Sequence, residues 1–133
     1  MNYFDTFIEV ADDCPAQKAS TPKAKGEKKT IAILQYEMIT DHPYQYTQED
    51  VLFETYADYN NLAAADRPAE RQKFFAKEQP CLRTSALGKR YGWGIHSNTE
   101  GKVALYALES EEYRRLVGDS NLKHLKAMRS KRA

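Results

Sequence analysis

Cysteine and histidine are scarce in this chain of 133 residues. Cys14 and Cys81 are its two thiols and neither sits in a C-x-x-C pair, which argues against a disulfide-stapled scaffold and against a zinc ribbon or finger. His42, His96 and His124 stand far apart without ligand spacing, so neither a metal set nor a cofactor is expected. The six glycines never fall into the spacing of a P-loop or a dinucleotide-binding turn. No run approaches the roughly 18 apolar residues that a membrane helix needs. The opening MNYFDTFIEV carries acids where a secretory leader has a basic end and an apolar stretch. These absences lead us to expect a cytoplasmic protein with reduced thiols and no membrane partner.

What is present is ordinary for a soluble domain: 41% apolar and 29% charged residues, with a mean hydropathy of −0.75. The length suits one domain over residues 1–133, large enough for a real core. Nine tyrosines against five phenylalanines suit core margins and binding surfaces equally. The net charge of +1 conceals an asymmetry: residues 123–133 hold five Lys/Arg and no acid, leaving 15 basic against 19 acidic side chains in residues 1–122. A basic C-terminal tail is therefore expected there. A second basic run, KAKGEKK at Lys23–Lys29, closes a segment over 16–29 without apolar period, which reads as a flexible solvated loop.

Periodicity predicts an α+β fold. Tyr3 to Val10 alternates as a short strand. In TIAILQYEMITDHP, Ile31, Leu34 and Met38 share a helical face while Ala32, Leu34, Tyr36 and Met38 would share a strand face; Gln, Glu, Met and Ala favour the helix, and Pro43 stops it at His42. TQED at Thr47–Asp50 is a capping box that starts a helix at Gln48, with Val51, Leu52, Thr55, Tyr56 and Tyr59 on one face and Phe53 directed elsewhere. Asp66 and Pro68 open another helix anchored by Phe74 and Phe75. The period then changes to two, predicting a hairpin over about 91–96 and 102–108. Ser110 caps a helix that Gly118 closes, and Asn121 to Arg129 reads as a final helix on Leu122, Leu125 and Met128. The result is a small antiparallel sheet packed by four to five helices.

Within KRYGWGIH, Gly92 and Gly94 bare the strand face opposite Tyr91, Trp93 and Ile95, and glycine inside a strand marks close approach of backbone or ligand. One reading packs a helix on that face. The other leaves a trough bounded by His96, beside Arg83, Ser85, Lys89 and Arg90, whose cationic forks and hydroxyls suit a small anionic ligand; Trp93 and His96 complete that candidate set. Cys81 and His96 would suit a nucleophile and base only if the fold brought them together.

The stretches QPCLRTSALGKRYGWGIH, GKVALYALESEEYRRL and LKAMRSKRA, with YFDTFIEVADDCP and YTQEDVLFE, resemble a family of short, mainly bacterial proteins known as a domain of unknown function. The resemblance covers nearly the whole chain and implies one full-length domain, without activity, cofactor or catalytic residue to carry over. Two functional expectations stand. The first is a binding module that meets nucleic acid through Lys123, Lys126, Arg129, Lys131 and Arg132. The second is a small-molecule site, enzymatic or not, beside the GWG strand. A homodimer built on aromatic surface is a third, plainer use of the same residues.

Overall fold

The computed structural model describes residues 1–24 and 26–131. In chain order the elements are β1 (Thr6–Glu9), α1 (Ile31–Asp41), α2 (Gln48–Tyr59), α3 (Arg67–Ala76), α4 (Ala86–Lys89), β2 (Trp93–Ser97), β3 (Val103–Ala107), α5 (Glu111–Val117) and β4 (Lys123–Lys126). The expected α+β class holds. The sheet has the order β3-β2-β1-β4 and is mixed: β2 pairs antiparallel with both β1 and β3, while β4 runs parallel to β1.

Because side chains alternate across a strand, the register assigns each residue to a face. Ile8, Ile95, Leu105 and Leu125 are cross-strand partners on one face. They meet Ile39 of α1, Val51 of α2 and Leu82 to form the main core. Phe7, His96, Ala104 and His124 line the other face. α5 lies over it through Tyr113, whose ring stands edge-on to Phe7 with centroids 5.0 Å apart.

The local start signals act as expected. Thr47 accepts from the Asp50 amide while Asp50 reaches back to the Thr47 amide, so both halves of the capping box form. Ser110 likewise accepts from the Tyr113 amide at 3.1 Å. The expected face of α1, however, is rotated, whereas α2 keeps Val51, Leu52 and Thr55 inward and directs Phe53 elsewhere as expected. α1 buries Ile33, Gln35 and Ile39, and leaves Ile31 exposed. Gln35 can turn inward because its carbonyl accepts the Ser85 hydroxyl at 2.6 Å. α2 buries Val51 and Thr55 together with Phe53 and Ala57, because α1 and α3 flank it on two sides. Phe53 meets Phe74 of α3 at 5.7 Å, and Tyr56 and Tyr59 are left at the margin.

The expected final helix is a strand. From Lys123 to Lys126 the chain forms β4, with the Lys123 amide donating to Asp5 (2.8 Å) and the Ala127 amide to Glu9 (2.7 Å). The open edge of β1 offers partners that a helix would leave unused. Of Leu122, Leu125 and Met128, Leu125 alone packs on the core, and Met128 is exposed. The hairpin is also shorter than predicted, 93–97 with 103–107. Its outer edge is covered by the segment after α1, where Tyr44 donates to the Val103 carbonyl and the Tyr46 carbonyl accepts from Val103.

Candidate functional site

Of the two readings of the glycine face, the packed one holds and the trough is filled. A Cβ on Gly94 would stand 2.6 Å from Phe7 Cζ and 2.7 Å from Tyr113 Cε2, so two rings occupy the space that the missing side chain vacates. Residues 91–96 are not uniformly extended either: Gly92 has φ +81°, and its bare side is met by Ala16 and Ala19. Trp93 lies on the other face of β2 and donates its indole N–H to the Ser20 carbonyl at 2.9 Å, beside the Tyr36 ring. Glycine here serves close packing by a helix on one side and by residues 16–20 on the other.

His96 lies two residues beyond Gly94 on the same face, is only partly buried, and lines a cleft. Its Nδ1 is 2.8 Å from the Tyr44 hydroxyl, which is 2.6 Å from the Tyr106 hydroxyl. The three side chains floor a cleft of about 310 Å³, walled by Glu112, Arg115 and Leu116 of α5 and by Asp119 after it. Tyr44 holds φ +59°, a left-handed conformation that costs a non-glycine residue about 1 kcal/mol. Its amide bond to Val103 and the two bonds of its hydroxyl offset that cost. Burial raises the Tyr44 hydroxyl pKa well above the ordinary 10.0, and the Tyr106 hydroxyl adds to the effect. Burial lowers the His96 pKa from 6.5, against the opposing pull of Asp5 and Asp119. Burial thus favours the neutral imidazole, in which one ring nitrogen is a donor and the other an acceptor.

The other predicted residues separate. Ser85 is buried, donates to Gln35 and caps the Leu87 amide, which leaves it no free hydroxyl for a ligand. Cys81 takes the Tyr3 hydroxyl at 3.4 Å while His96 takes Tyr44, so no nucleophile and base pair forms. Burial, then the Cys81 contact, push the Tyr3 pKa up to about 12. Among the described residues no group of three or more His, Cys, Asp or Glu is placed to hold a metal.

The basic residues, by contrast, converge. Arg83 Nε donates to the Lys126 carbonyl (2.7 Å), and the Met128 amide donates to the Arg83 carbonyl (2.8 Å). Gly88 of α4 faces Ala127, with 2.9 Å between its notional Cβ and that of Ala127. The segment bearing Arg83, Lys89 and Arg90 thus lies against that bearing Lys126, Arg129 and Lys131. Acids share this edge: Lys126 is paired with Asp12 at 2.7 Å, and Asp13 accepts from the Ser130 and Lys131 amides. Those amides hold the Asp13 carboxyl below its ordinary 3.8, with a lesser pull from Arg129. Lys89, Arg90, Arg129 and Lys131 form no ion pair among the described residues. Lys123 is exposed at the other end of β4, and Arg132 lies outside the described residues.

Sequence reasoning missed Tyr44, Tyr106 and Arg115. Tyr106 was within reach, since the hairpin register sets it on the same face as His96. Tyr44 was not, because its position depends on a segment that wraps the edge of β3.

A mixed sheet with helices on both faces, one aromatic and imidazole cleft and one basic edge define a small α+β protein in which no described helix is long and apolar enough to cross a membrane. The chain belongs to DUF6157, a family of unknown function, whose model matches residues 1–133. No curated protein and no solved structure matches it.

Proposed function

We propose that the protein is a cytoplasmic binding module for nucleic acid, engaged along the edge where residues 83–90 meet residues 126–131. The observation that supports this reading most is the Arg83 joint, which ties two basic stretches 43 residues apart in sequence into one surface. Besides Arg83, whose guanidinium is engaged by the Lys126 carbonyl, four cations on that surface have no carboxylate partner among the described residues, and cations in that state are the ones that displace counterions from phosphates. Asp12 and Asp13 set a limit on the charge: one neutralises Lys126 and the other anchors the backbone at 130–131.

The test is fluorescence anisotropy of a labelled oligonucleotide over a range of salt. Four phosphate contacts give log K a slope against log salt of about −3 on a single strand and about −4 on a duplex. Asp12→Asn frees Lys126 and steepens the slope by about one contact's worth, 0.7 to 0.9. Replacing Lys89, Arg90 and Arg129 together by Gln removes most of the slope. No binding at low salt, or a slope indifferent to these changes, rejects the reading.

A further inference from the structure

The His96 cleft is separate from the basic edge and has its own chemistry. Its floor is a hydrogen-bonded chain of two phenols and a neutral imidazole. His96 Nδ1 is engaged by Tyr44, and Nε2 makes no hydrogen bond among the described residues. No buried side-chain nitrogen or oxygen among the described residues lacks a partner, so the unpaired Nε2 is not buried, and His96 lines the cleft. The floor can present either a donor or an acceptor there. If Tyr44 donates to Nδ1, Nε2 carries the proton; if Nδ1 donates to Tyr44, Nε2 is an acceptor and Tyr44 donates to Tyr106. The floor therefore adapts to a ligand group of either kind without moving an atom heavier than hydrogen.

The wall is of mixed sign. Arg115 carries the cation, Glu112 and Asp119 the carboxylates, and Leu116 an apolar surface between them. Arg115 and Glu112 approach only to 4.0 Å with both side chains largely exposed, so neither is committed to the other. A rim with one cation and two carboxylates suits neither a simple anion nor a simple cation. A molecule carrying both charges a few ångströms apart can meet both. The volume of about 310 Å³ equals roughly ten waters at about 30 Å³ each, which suits a molecule of amino-acid size.

We propose that the cleft bounded by Tyr44, His96, Tyr106, Glu112, Arg115 and Asp119 binds a free amino acid with a polar side chain. Its carboxylate meets Arg115, its ammonium meets Glu112 and Asp119, and its side chain bonds to the phenol and imidazole floor.

The experiment is NMR titration of the full-length, isotope-labelled protein with each common amino acid at millimolar concentration, each paired with its C-terminal amide. Binding is expected to shift the His96 imidazole and the backbone signals of Tyr106 and Leu116, in a saturable manner, for a subset of polar amino acids. The amide, which lacks the carboxylate, is expected to bind about tenfold or more weaker, as for loss of a charge-assisted hydrogen bond. Arg115→Met weakens the amino acid by a similar factor and leaves the amide unchanged. Arg115 is 77% exposed in its side chain, so this variant keeps the fold, which the unshifted β2 and β3 signals verify. A second variant, Tyr106→Phe, removes one floor hydroxyl and weakens amino acid and amide alike. The proposal is overturned by the absence of saturable shifts with every amino acid, by shifts centred away from the cleft, or by equal affinity for amino acid and amide.

Discussion

Gly94→Ala measures whether the glycine face of β2 is filled. The added Cβ would sit at 2.6 and 2.8 Å from two atoms of Phe7 and 2.7 Å from one of Tyr113, all inside normal carbon contact. Both rings are almost fully buried, at 0% and 6% exposure, and are stacked edge-on against each other, so neither can retreat without disturbing the other. Inserting a methyl into such packing costs about 1 to 3 kcal/mol, and three close approaches put this site near the upper end. Against that, alanine loses less entropy than glycine on folding, an offset of about 0.5 to 1 kcal/mol. The net expectation is a loss of about 2 kcal/mol, or a fall in Tm of about 8 °C for a domain of this size. Urea unfolding followed by circular dichroism reads the first, and a thermal scan the second. Phe7→Leu in the same chain removes two of the three clashing atoms, so the double variant is expected to be more stable than the sum of the singles by about 1 kcal/mol. Gly118→Ala is the control: its Cβ meets nothing closer than 3.7 Å and φ is −84°, so it is expected to stabilise by about 0.5 kcal/mol. If Gly94→Ala falls within about 0.5 kcal/mol of the parent, the rings do not fill the face, and the trough suggested by the GWG pattern is restored.

Two further perturbations probe polar side chains, one buried and one partly buried. Gln48 is fully buried and joins two chain segments, its carbonyl accepting from the Leu82 amide at 2.8 Å and its amide donating to the Met1 carbonyl. Gln48→Leu strands that amide and is expected to cost about 2 to 3 kcal/mol in urea unfolding, with faster hydrogen exchange at Leu82; a loss under about 0.5 kcal/mol would show that the bridge is dispensable. The imidazole of His96 gives a pH dependence. Its folded pKa lies below the ordinary 6.5, so the folded protein binds fewer protons than the unfolded chain. The associated stability is fully present above pH 6.5 and is lost as pH falls from 6.5 through the folded value. Urea midpoints should decline across that window in the parent and stay flatter in His96→Gln, and an NMR titration of His96 giving 6.5 or higher contradicts the argument.

What the sequence made legible is what the chain decides locally. The Thr47–Asp50 capping box, the Ser110 cap and the alternation of the hairpin each act within a few residues, and each forms. β4 was hidden because four residues carrying one inward Leu125 fit a helical stripe as well as a strand. The choice is made by the edge of β1, more than 110 residues away. The face of α1 was misjudged for a related reason: a helix between several neighbours has more than one buried side, and the identity of the further neighbours is not in its own residues. In the candidate sites, His96 and Arg83 were legible as polar residues with something to do. Their partners were not, since Tyr44 reaches His96 only through a left-handed turn after Pro43, and Arg83 meets Lys126 only because β4 exists.

The dimensions of the fold account for there being an open cleft at all. Four strands at about 4.8 Å spacing make a face roughly 15 to 20 Å wide, whereas a helix with its side chains covers about 10 Å. Among the described residues α5 is the one helix on that face; it has seven residues and plants its buried aromatic, Tyr113, over the central strands at Phe7 and Gly94. Both flanks are then left uncovered. On the β4 side, Glu9, Asp12 and Lys126 line the gap, and the ion pair between the last two suits contact with water and salt. On the β3 side the floor is Tyr44, His96 and Tyr106, neutral groups whose hydrogen bonds are mutual except at Nε2. The filled glycine face and the open histidine face therefore have one cause, a short helix centred on a wider sheet. A substitution that enlarged the roof, such as Leu116→Trp, would be expected to close the β3-side cleft and abolish amino-acid shifts there while leaving oligonucleotide binding at the opposite edge untouched.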